Sequence, residues 1–198
     1  LLEAAVARQP NAGWEAWLHL GTMRLHEGDK EGARSAWETS LARRRTAWAL
    51  RNLAVLARQD EDWDAAVAYL LEAQAMRPDL MPLLIETARA LIDAGGAADL
   101  LALLSALPDV MQTHGRVQLL EIEAALAVGD IDRAGKRFAD GFEIVDYREG
   151  DEILTELWHR SHVERISRDE GVPIDAALSA RVWRDHPLPS QYDFRMKT

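Results

Sequence analysis

A short turn of small and acidic residues recurs along the chain: "EGD" at 27–29, "QDED" at 59–62, "AGG" at 94–96 and "VGD" at 128–130, each after an apolar-periodic run of about fourteen residues. Aligning the residue a few places past each turn superposes Ala33, Ala66, Leu100 and Ala134, at successive spacings of 33, 34 and 34 residues. Four places further stand Trp37, Leu70, Leu104 and Phe138. Apolar residues recur at three and four on both sides of each turn, so each unit is predicted to be a pair of antiparallel helices. A single pair cannot bury its apolar face, and a fixed period means that neighbouring pairs cover one another. A small residue opposite a large one keeps such pairs in register, and Gly21 is expected to let α-helical backbones approach at the level of Ala33.

The units resemble the tetratricopeptide repeat, whose pattern runs Trp, Leu, Gly, then Ala, an aromatic and Pro within 34 residues. The matching positions are Trp17, Leu20, Gly21, Ala33 and Trp37; then Leu50, Leu53, Ala54, Ala66, Leu70, Ala73 and Pro78. Weaker matches are Leu84, Ala88, Gly95, Leu104 and Leu107, then Ile122, Gly129, Ala134 and Phe138. Arg24 departs from the pattern where the family often has an aromatic, and one residue is deleted around "RRRTAW". The resemblance implies an all-α fold: a right-handed α-solenoid of antiparallel helix pairs. Four of these are expected over 14–148, with residues 1–13 ending a preceding repeat and 149–198 forming a capping helix and an extended tail. "WALRNLAVL" and "REGDEILTELW" further resemble the C-terminal repeat region of large bacterial proteins in which a carbohydrate-associated domain of unknown function comes first.

The chain has 198 residues, enough for a substantial core, and no apolar run near the twenty or so that span a bilayer. A formal charge of −10 argues against a nucleic-acid partner, which needs a basic surface. Cysteine is absent, which removes disulfides and thiolate chemistry and fits a reducing compartment, so a cytoplasmic location is expected. Only Lys30, Lys136 and Lys197 are lysine among the basic residues, and alanine is abundant, a composition that suggests a GC-rich bacterial source. "LLEAAVARQPN" resembles the second half of a helix ending at Pro10, so the sequence is expected to be a fragment of a longer protein.

Beyond Phe142 the period stops, and "REGDEILTELWHRSHVERISRDEG" is predicted as one longer amphipathic helix carrying Ile153, Leu154, Leu157, Trp158 and Ile166. Such a helix would cap the last repeat. Pro173, Pro187 and Pro189 limit a further helix to about 174–184 and make the end extended. Trp183, Tyr192, Phe194 and Met196 are costly to leave in water, so the tail is expected to fold back on the chain or to dock into a partner.

The tetratricopeptide resemblance implies that the first helix of each pair lines a concave groove. The corresponding side chains are His19, Thr22 and His26; Trp48, Arg51, Asn52 and Arg58; Glu86 and Arg89; Arg116 and Glu123. Arg51, Asn52 and Arg89 resemble the carboxylate-holding residues of repeats that grip peptide C-termini, since guanidinium forks bind carboxylates in bidentate fashion. Alternatively these arginines pair with Glu86 and Glu123 and solvate the inner face. Glu156, His159 and His162 stand three apart on one helix, but a single Glu-x-x-His copy lacks a fourth ligand and reads as helix surface, so no metal or other cofactor is expected. "RRR" at 43–45 suits the carbonyl end of a helix dipole. No Gly-rich phosphate loop, GxSxG or HExxH is present. The sequence therefore points to a non-enzymatic scaffold whose groove holds a peptide or protein segment, acidic or from the same polypeptide. The other reading is an accessory domain of a carbohydrate-active enzyme.

Overall fold

The computed structural model describes residues 12–144 and 152–193, and among them helix is the only regular structure. The chain divides into two compact units, Leu1–Gly95 and Gly96–Thr198. This division falls at the third of the recurring turns.

The first unit contains α1 (Trp14–His26), α2 (Lys30–Arg43), α3 (Ala47–Gln59), α4 (Trp63–Met76) and α5 (Met81–Asp93), and each helix packs on the next. The turns between α1 and α2 and between α3 and α4 form by one local device. Gly28 adopts φ +86°, a left-handed conformation in which glycine meets no steric penalty. The chain then wraps so that the Asp29 N–H donates to the Arg24 carbonyl at 2.8 Å, while the Asp29 carboxylate accepts from Gly32 N at 2.8 Å and caps α2. Asp62 repeats both bonds, to the Ala57 carbonyl at 2.9 Å and from Ala65 N at 3.1 Å. There the left-handed residue is Glu61, at φ +59°.

Packing follows the same period. Ala33, Ala66, Leu100 and Ala134 are wholly buried, and Trp37, Leu70, Leu104 and Phe138 nearly so. Above Gly21 lies the Trp37 indole: a Cβ there would lie 2.4 Å from Trp37 Nε1 and 2.5 Å from its Cδ1. The ring is held in place by its Nε1–H, which donates to the Leu18 carbonyl at 3.0 Å. Ser40 Oγ donates to the Trp14 carbonyl at 2.8 Å on the same interface. Leu50, Leu53 and Leu56 on α3 are fully buried, each worth about 1.5–3 kcal/mol in area removed from water.

The second unit contains α6 (Ala97–Ser105), α7 (Asp109–Gln112), α8 (Gly115–Ala127), α9 (Ile131–Asp140), α10 (Ile153–Glu170) and α11 (Ala176–Asp185), closed by a 3₁₀ turn at Ser190–Tyr192. Pro108 lacks an N–H and biases Leu107 away from helix, so α6 is short and one extra turn, α7, precedes α8. The turn between α8 and α9 again has a left-handed glycine, Gly129, and a capping aspartate, Asp130, which accepts from Arg133 N at 3.1 Å. Glu121 is buried on α8 and accepts from Arg133 Nε and Arg137 Nε, each at 2.6 Å.

The expected capping helix corresponds to α10, which contacts α8, α9 and α11. The tail is not wholly extended. Its 3₁₀ turn buries Tyr192 to 1% exposure against Phe138, Phe142 and Trp158. The phenol hydroxyl donates to the Phe138 carbonyl at 3.4 Å and accepts from Phe142 N at 3.3 Å. Of the tail's apolar residues Tyr192 therefore folds back within its own unit and Trp183 keeps 41% of its surface exposed, while Phe194 and Met196 lie outside the described residues, as do residues 1–11 and 145–151. No helix among the described residues is long and apolar enough to cross a membrane.

Candidate interaction site

Thr46 starts α3, accepting from Ala49 N at 3.4 Å, and this sets Ala47 inward and Trp48 outward on the first turn. Ala47 is buried against the α4 and α5 side chains of the unit's core, whereas Trp48 keeps 48% of its surface exposed. Leu83 projects from α5 into the same core. Between the two helices lies a recess of about 270 Å³, lined by Ala47, Trp48, Arg51, Leu80, Pro82, Leu83 and Glu86. Its walls are mostly apolar, and its one polar wall is an ion pair.

That pair joins α3 to α5 in bidentate form: Arg51 Nε donates to one Glu86 carboxylate oxygen at 2.6 Å and its terminal nitrogen to the other at 2.5 Å. Both side chains are about a third exposed, so the pair contributes little to stability, on the order of 0–1 kcal/mol. Its effect is geometric. The fork fixes two rotamers and holds Arg51 charged, its pKa raised chiefly by the hydrogen bonds to Glu86.

Of the residues singled out in the sequence, Trp48, Arg51 and Glu86 meet in this recess. Arg51 is engaged by Glu86, in line with the pairing alternative. Asn52 and Arg89 are half-buried on α3 and α5 and do not line the recess. Arg58, at the far end of α3, lies 3.7 Å from Asp93 and lines a separate hollow with Val55, Gln59 and Trp63. His19, Thr22 and His26 are exposed on α1. Arg116 and Glu123 are half-buried on α8, in the second unit.

Leu80, Pro82 and Leu83 are contributors that sequence reasoning missed. They belong to the entry of α5, and only the packing of α5 on α4, with Leu83 sharing a core cluster with Ala47 and Leu50 of α3, brings them beside Trp48. The arginine run has a fuller role than capping. Arg43 donates to the Ala12 carbonyl at 2.8 Å and lies over Trp17, Arg44 lies 5.3 Å from the Trp14 ring centroid, and Arg45 grips Glu72 through two nitrogens.

In the second unit, His159 stacks on Trp183 at 4.3 Å and lies 3.2 Å from the Ser179 carbonyl, while His162 Nδ1 lies 3.0 Å from the Trp158 carbonyl. Glu156 is exposed. Among the described residues no group of three or more His, Cys, Asp or Glu is placed to hold a metal ion.

Neither protein-family models, curated proteins nor solved structures yield a match to the chain.

Proposed function

We propose that the chain is a non-enzymatic interaction module of the tetratricopeptide type, built of antiparallel helix pairs, and that the recess beside Trp48 receives an apolar side chain from a protein segment. The carrying observation is Trp48: a large aromatic half in water, set over a mostly apolar hollow between α3 and α5. Aromatic anchors of this kind give area and rigidity at low entropic cost, and they dominate binding energy where they flank a pocket. The Arg51–Glu86 fork supports the reading, because it braces one wall before any ligand arrives. The period of the helix breaks supports the family, as does the burial of Ala33, Trp37, Ala66 and Leu70.

The test is selection of random displayed peptides on the protein and on Trp48→Ala. Enrichment of sequences sharing one large apolar residue, with at least tenfold weaker binding to Trp48→Ala, is the expected result. Enriched peptides that bind Trp48→Ala equally well would refute the reading.

A further inference from the structure

Trp48 and Ala47 also wall a second, more open recess of about 210 Å³, lined further by Trp14, Arg44, Arg45, Thr46, Met76 and Arg77. It lies where α2 and α4 end and α3 begins, so the two hollows share one indole. Three guanidinium groups line this second hollow and no carboxylate does, in a chain whose net charge is −10. Arg45 is held by Glu72 and Arg77 by Asp79 at 2.9 Å, both carboxylates standing outside the lining. Those arginines depress the Glu72 and Asp79 pKa values through hydrogen bonds, so both acids stay ionised. Arg44 lies with its guanidinium carbon 5.3 Å from the Trp14 ring centroid, within cation–π range, and lines the hollow beside that ring.

We infer that the segment bound at Trp48 is acidic, its apolar residue seated in the α3–α5 hollow and a neighbouring carboxylate on Arg44 across the indole. This rests on the reading of the Trp48 recess given above. The complementarity is specific: a partner carboxylate meets a hollow whose charged lining is guanidinium alone. A bidentate guanidinium fork suits a carboxylate in geometry as well as charge.

The experiment uses two pools of fluorescein-labelled heptapeptides with phenylalanine at the centre. Flanks are randomised over Asp and Glu in one pool and over Asn and Gln in the other, and binding is read by fluorescence polarisation. The acidic pool is expected to bind at least tenfold more tightly. Arg44→Gln should remove that preference and leave the amide pool unchanged, and 0.5 M NaCl should shrink it. Glu72→Gln, which releases Arg45, should tighten the acidic pool several-fold, a direction that lost structural support would not produce. Equal binding of the two pools overturns the inference and leaves the Trp48 reading standing. Binding of neither pool, or binding untouched by Trp48→Ala, overturns both. A uridine oligonucleotide that binds more tightly than the acidic pool, with the same Arg44 dependence, assigns the cluster to phosphate and also overturns the inference.

Discussion

Replacing Gly21 by alanine tests the packing of α1 on α2 most directly. In an isolated helix the change is favourable by about 1 kcal/mol, because glycine is the poorer helix former. Here the new methyl would stand 2.4 Å from Trp37 Nε1 and 2.5 Å from Cδ1, where carbon contacts are optimal near 3.5–4.0 Å. The indole must retreat by more than an ångström. It would then strain its buried surroundings, at about 1–3 kcal/mol, and stretch its bond to the Leu18 carbonyl, worth about 1 kcal/mol. The net expectation is a loss of about 1–3 kcal/mol, or a fall in melting temperature of roughly 2–4 °C per kcal/mol for a chain of this size. In a Trp37→Leu background the ring is gone, and Gly21→Ala should stabilise by up to about 1 kcal/mol. Urea titration followed by circular dichroism at 222 nm measures all four proteins of the cycle. Gly21→Ala that stabilises both backgrounds, or shifts them equally, would refute the contact.

Glu61 is the one non-glycine residue among those described with positive φ, so Glu61→Gly should stabilise the turn between α3 and α4 by about 0.5–1 kcal/mol in the same urea assay. Glu121→Gln replaces a buried carboxylate that accepts from two arginines, and a loss of about 1–2 kcal/mol is expected, moderated because Arg133 and Arg137 remain partly in water. Burial lowers the His162 pKa, a backbone hydrogen bond to Trp158 opposes this, and Arg165, His186 and His159 reinforce it. The folded state thus binds a proton less readily than the unfolded chain. Stability should be complete above the ordinary histidine pKa of about 6.5 and fall as pH drops below it, and His162→Gln should flatten urea midpoints measured between pH 8 and pH 5.

The helical period was legible because its signals are local. Gly28, Gly95 and Gly129 mark the turns, Asp29, Asp62 and Asp130 cap the helices that begin after them, and Ala33, Ala66 and Ala134 are buried as their alignment implies. The candidate site was legible only in part. Trp48 and Arg51 stood out as residue types, but their shared recess depends on Leu80, Pro82 and Leu83, about thirty positions later, meeting α3 through tertiary packing. Arg44 carried no signal beyond its charge, since the run it belongs to satisfies a helix end equally well. The seat of the Trp37 indole over Gly21 was not legible in detail, because residue spacing places a side chain on a face without saying which rotamer spans the interface.

The aspartate-capped turns bear on how quickly the chain reaches its native state. At Asp29, Asp62 and Asp130 the bonds that reverse the chain close loops of only a few residues, so each of these corners assembles without waiting for distant segments. Early encounters are therefore favoured between sequence neighbours, whereas the Tyr192 hydroxyl reaches the Phe138 carbonyl from 54 positions away and so closes a far longer loop at greater entropic cost.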